Sequence, residues 1–164
     1  MEIKPVSNRL FALIVLYDMH TTYFGNAIDG ISDKDAHQRL NTKANHIAWI
    51  SGSLVQGRYE LANLLGLDLK QTAHELFANF KGIQDDETYP ALADFKKDWE
   101  KITPILREKL MQVTEEQLDK ILEFPDMSFP LFEMISFTIY REANCIGQIA
   151  LWRRLLNYDA MKYM

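Results

Sequence analysis

Residues 129–156 carry helical apolar spacing on two stripes rather than one. Met134, Phe137, Cys145, Trp152 and Leu155 mark the first, and Ile135, Ile139, Ile146, Ile149 and Leu156 the second. A helix that is apolar on two sides must be covered on two sides. The chain therefore has to supply other long helices around this one, or present one of its faces to a second subunit.

Other stretches of helical period are present. Leu10, Leu13, Ile14, Tyr17, Thr21 and Phe24 share a face, which predicts a helix from about Ser7 to Phe24, ended by Gly25-Asn26. A connector follows, with Ser32 and Asp35 capping a short turn. A second long helix is expected over Thr42–Leu65, capped by Asn41 or Thr42 and closed by Gly66. Residues 67–80 read as a shorter amphipathic helix and residues 81–89 as a loop. Pro90 falls in the first turn of a third long helix to about Val113, with Thr88 as its cap and Pro104 as a kink. Thr114–Gln117 matches a capping box, and the Pro-rich break at 124–130 places Ser128 before the last helix. With seven glycines and no strict apolar/polar alternation, the expected class is all-α: one domain over residues 1–164, a four-helix bundle with short extra helices.

The net charge of −5 gives no counterion-release drive toward nucleic acid, and no basic cluster exceeds two residues. Lys96-Lys97 and Arg153-Arg154 read as parts of solvated helix faces. The lone cysteine excludes an intrachain disulfide and fits a reducing, cytoplasmic setting. The run from Phe11 to Tyr17 is short and followed by Asp18 and His20, so it reads as core helix rather than signal or membrane span.

The last helix also carries polar groups within its apolar pattern. Arg141 and Cys145 stand one helical turn apart, the spacing at which a helix presents two ligands to a metal. Arginine, however, offers a metal no lone pair. In the second helix His46, Ile50, Ser53, Gly57 and Glu60 share a face, and the small Ser53 and Gly57 allow close approach. If the two faces meet, a histidine, a cysteine, an arginine and a glutamate surround one cavity.

The second-helix segment NHIAW and the stretch REANCIGQIALWRRLL together resemble the DinB/YfiT-like superfamily, four-helix-bundle proteins that include metal-dependent, thiol-using transferases. The resemblance covers nearly the whole chain. It implies helices in up-down-down-up order with a long crossover, and a homodimer. It also implies a divalent metal on three histidines, one on the second helix and two on the last. By position these are His46, Arg141 and Cys145, so one histidine of three is kept.

Each residue carries two readings. His46 is a metal ligand or cavity base, or a histidine bonded to protein or water. Cys145 is a thiolate activated by Arg141 and His46, or a small buried hydrophobe. Arg141 is an anion clamp, or the partner of Glu142, Glu60 or a neighbouring chain. Glu142 reads as an exposed helix charge, and His20 as a helix-end imidazole favoured by the dipole. His37 and His74 read as structural or solvent-exposed. The expected function is a divergent DinB-like protein with an inter-helix cavity for a small anionic or thiol ligand, lined by His46, Arg141, Cys145, Ser53, Gly57 and Glu60, with no tightly bound cofactor. The alternatives are a residual metal-dependent transferase or hydrolase, with zinc or nickel on His46 and Cys145, and a structural dimer without a site.

Overall fold

A computed structural model describes residues 4–163, of which helix is the dominant element. Among the described residues there are seven α-helices: α1 (Phe11–Ile28), α2 (Asp33–Ala36), α3 (Ile47–Leu64), α4 (His74–Phe77), α5 (Leu92–Gln112), α6 (Glu115–Asp119) and α7 (Leu131–Leu155). One hairpin, β1 (Ile121–Phe124) with β2 (Met127–Pro130), precedes α7. No helix among the described residues is long and apolar enough to cross a membrane.

Contacts link α1 to α5, α5 to α3, α3 to α7 and α7 back to α1. The partners fix the sense of each pair. Val6 bonds Met111, Asp18 pairs with Arg107 and Thr21 accepts from Trp99, so α1 and α5 run in opposite directions. His20 meets Glu142 and Ala27 meets Arg153, so α1 and α7 run the same way. Gly52 lies against Phe95, while Arg58 reaches Thr103, so α3 and α5 are also parallel. Two parallel neighbours in sequence need a return chain. Residues 65–91 are that chain, and α4 lies within it.

The helix enclosed most completely is α3 rather than the last one. From Ile47 to Ala62 it exposes none of its residues, whereas α7 leaves Phe137, Tyr140, Leu151 and Leu155 more than half exposed. Gly52 is required there by contact: a Cβ would collide with the rings of Phe77 and Phe95.

Several boundaries differ from those expected, each for a local reason. Helix α1 passes through Gly25-Asn26 to Ile28, because Phe24, Ala27 and Ile28 are all buried and hold the extra turn. Helix α3 begins at Ile47 instead of Thr42, since His46 is extended (φ −76°, ψ 164°) and its side chain caps the helix at that point. Gly66 closes α3 at φ 89°, as expected. The 67–80 segment is helical only over His74–Phe77 plus one 3₁₀ turn. Helix α5 starts at Leu92, and its cap is not Thr88: Asp33 of α2 accepts from the Leu92 N–H at 3.0 Å. Pro104 does not interrupt α5. The carbonyl it orphans belongs to Glu100, which is exposed. The capping box on α6 is present with both reciprocal bonds. The Pro-rich break is a hairpin, with Ser128 paired opposite Glu123 rather than capping α7.

Candidate functional site

The face of α3 that carries Ser53, Gly57 and Glu60 meets α7 at Arg141. Together they line a cavity of about 680 Å³. The return chain closes one side with Phe77, Phe80 and Lys81, and Phe124 closes it from the hairpin.

Arg141 is anchored by α3. Its Nη1 donates to the Ser53 carbonyl at 3.1 Å and its Nη2 to the Ser53 hydroxyl at 2.5 Å. Gly57 makes room for it, since a Cβ there would come 3.2 Å from Nη1. None of the carboxylates that sequence reasoning paired with it is its partner, and among the described residues it forms no ion pair. Glu60 likewise forms none; its Oε1 accepts from Gln56 Nε2 at 3.0 Å.

Gln56, which lines the cavity, and Gln71, which holds it from behind, are residues that the sequence did not single out. Gln71 Nε2 donates to the Gly52 carbonyl at 3.1 Å and to Gln56 Oε1 at 2.8 Å, and Gln56 Nε2 faces His74 Nδ1 at 3.3 Å. This chain ties the return segment to α3 and so fixes the cavity wall. The only sequence signal was that Gln56 stands one turn before Glu60.

His46 lies elsewhere. It is seven residues before Ser53 along α3, roughly two turns or ~10 Å. Its Nδ1 accepts from the Trp49 N–H at 3.0 Å, which makes His46 the N-cap of α3. Its ring packs against His37 and Tyr89, each with centroids 5.2 Å away. Burial, then the neighbouring charges of His37 and Arg39, lower its pKa to about 4. It is thus neutral, with the proton on Nε2 and the Nδ1 lone pair engaged, and it does not line the cavity.

Cys145 is buried one turn beyond Arg141 and does not line the cavity either. Burial pushes its thiol pKa up. The charge of Arg141 opposes this and Glu142 adds to it, with a net rise. This is the setting of an inert thiol rather than a thiolate.

Glu142 corrects another expectation. It is only 3 % exposed and lies in the centre of the protein, where Oε1 accepts from Arg58 Nε at 2.7 Å and Oε2 from Arg58 Nη2 at 3.0 Å. His20, also buried and not at a helix end, faces Oε2 at 3.3 Å. The Arg58 guanidinium is stacked between the Tyr17 and Trp99 rings, 3.8 and 3.4 Å from their centroids. Burial raises the Glu142 pKa, but the Arg58 charge and the bonds from His20 and Arg58 outweigh it and hold the carboxyl below the usual range. Arg153, expected on a solvated face, is buried too. It donates to the carbonyls of Ala27, Asp29 and Asp159 and closes the C-terminal ends of α1 and α7.

A three-histidine metal centre does not fit these residues. The positions that would supply it hold an arginine without a lone pair, a thiol whose burial disfavours the thiolate, and a histidine committed to capping. Among the described residues no three His, Cys, Asp or Glu side chains gather in a metal-holding group. A scan of known protein families and a search of curated proteins return no match.

Proposed function

We propose that this chain is a divergent DinB/YfiT-like four-helix bundle without the metal its relatives carry, whose inter-helix cavity holds an anion on Arg141. The helix senses support the bundle. With α1 and α7 one way and α3 and α5 the other, the order is up-down-down-up, and residues 65–91 are the crossover. The observation that carries the cavity reading is Arg141, a guanidinium fixed by Ser53 and lining the cavity without a carboxylate partner among the described residues. Such a group is a ready partner for a carboxylate or similar anion. The cavity volume falls within the range of small-molecule sites, ~300–1,000 Å³.

The test is thermal unfolding with a panel of small carboxylates, for the wild type and Arg141→Gln. A ligand at a hundred times its Kd adds ~2.7 kcal/mol, roughly 5–11 °C at this chain length. Stabilisation of the wild type that Arg141→Gln abolishes is the expected outcome; equal shifts in both proteins overturn the reading. The same melts after chelation, with Zn²⁺ or Ni²⁺ added, separate it from the residual-metal alternative, for which a shift lost in Cys145→Ser is the signature.

The reading includes a homodimer and a cytoplasmic setting. Phe11, Val15, Leu16 and Met19 of α1 and Tyr140, Leu151 and Leu155 of α7 are exposed on two helices in mutual contact. That is the kind of apolar surface a second copy covers. Sedimentation of the wild type against Leu151→Glu checks it, with a concentration-dependent dimer lost in the variant.

A further inference from the structure

The cavity holds opposite charges that do not satisfy each other. Arg141 and Glu60 both line it, both are partly buried, and neither is in an ion pair among the described residues. Both are placed by α3: the Arg141 guanidinium rests against Gly57, and Glu60 stands three residues, about one turn, further along the helix, with its carboxylate turned back to Gln56. Of the five N–H donors of an arginine, two are engaged on Ser53 and three remain. Glu60 has one oxygen on Gln56 and its other oxygen without a partner among the described residues. Lys81, the other cation lining the cavity, is exposed and donates through Nζ to the Glu75 carbonyl at 2.8 Å. The rest of the wall is mostly apolar, with aromatic rings from Trp49, Phe77, Phe124 and Phe137.

We infer that the cavity takes an amphoteric small molecule: a carboxylate for Arg141 and an ammonium for Glu60, close together at one end of an aromatic or similarly flat apolar body. This rests on the anion-cavity reading and narrows it. An inorganic anion would leave the aromatic wall and most of the volume unused. A simple carboxylate would add a second negative charge beside Glu60, and a simple amine would leave Arg141 uncompensated. An α-amino-acid head group places its two charges close enough for each to reach its partner at hydrogen-bond distance across one helical turn.

Three probes with one body and different charges test this by calorimetry: tryptophan, indole-3-propionate and tryptamine. The wild type is expected to bind tryptophan about tenfold or more tightly than either of the others. Glu60→Gln should bring tryptophan down to the level of indole-3-propionate without weakening the latter, and Arg141→Gln should bring it down to the level of tryptamine. Circular dichroism confirms that the variants fold; Glu60→Gln, nearly isosteric, suffices alone if Arg141→Gln does not. Indole-3-propionate binding as tightly as tryptophan overturns the amphoteric inference and leaves the anion cavity standing. No binding of any of the three overturns the inference, and the absence of a response both to tryptophan and to every carboxylate in the earlier melts overturns both.

Discussion

Glu142→Gln removes one charge from the centre of the protein and leaves its partner behind. Arg58 is 0 % exposed, and its only carboxylate among the described residues is Glu142, which it holds with two bonds of 2.7 and 3.0 Å. After the change, the guanidinium keeps the hydroxyls of Thr21 and Thr103 and the faces of Tyr17 and Trp99, but has no counter-charge. An uncompensated buried charge costs about 3–5 kcal/mol, a third or more of the stability of an ordinary domain. At ~2–4 °C per kcal/mol for a chain of this length, the melting temperature should fall by roughly 6–20 °C. Acid supplies a second reading of the same pair. The Glu142 carboxyl titrates below the ordinary carboxylate range. Its contribution is therefore present above the unfolded value of ~4.3 and is lost as pH falls through the folded one. The gap between wild type and variant, followed by circular dichroism, should be full at pH 7 and close below pH ~4. Arg58→Met combined with Glu142→Leu should recover much of the loss, because neither member is then stranded. A fall of less than about 2 °C, a gap unchanged in acid, or a double variant equal to the sum of the singles would refute the reasoning.

Other residues give simpler expectations. The His46 ring, followed by NMR, should stay neutral until well below pH 6, with a midpoint at about 4. Because that value is depressed, its contribution to stability is full above the unfolded pKa of ~6.5 and declines as pH falls toward the folded one; a midpoint above 6 would contradict the capping geometry. Thr114→Ala breaks the capping box of α6 and should cost ~1 kcal/mol in urea unfolding, while Thr88→Ala, no longer a cap, should cost little. Cys145, with a raised pKa and 9 % exposure, should react with iodoacetamide at pH 7.5 much more slowly in the native protein than after unfolding. Equal rates would show an accessible thiolate.

The long helices were legible because apolar period is local information. So was the α6 cap, where Thr114 and Gln117 lie within one turn. The hairpin was not. Its strands are four residues each, Pro125 and Pro130 sit in and beside them, and neither strand has a fully buried face. Asp33 capping α5 was equally hidden, since donor and acceptor are far apart in the chain. The central ion pair shows the same limit more sharply. Arg58 and Glu142 each look like an ordinary helix charge until the fold brings α3 and α7 together. At the cavity, Ser53, Gly57 and Glu60 could be grouped because they share one face of one helix. Phe77, Lys81 and Gln71 could not, since they come from an irregular segment whose position is set by bonds to α3. His46 was misplaced because the face of a helix does not tell where the helix begins.

The parallel pairing of α3 and α5 has a consequence for how such a protein diversifies. It forces residues 65–91 to travel back along the molecule, and this returning chain, not the packed helices alone, supplies Phe77, Phe80 and Lys81 to the cavity. Phe80 is 88 % exposed and carries no core packing. Substitutions and length changes there meet solvent on one side and the cavity on the other. On the proposed anion reading, a lineage can therefore rewrite what the cavity accepts in a segment that the helix core does not constrain, while Arg141, held between α3 and α7, keeps its place.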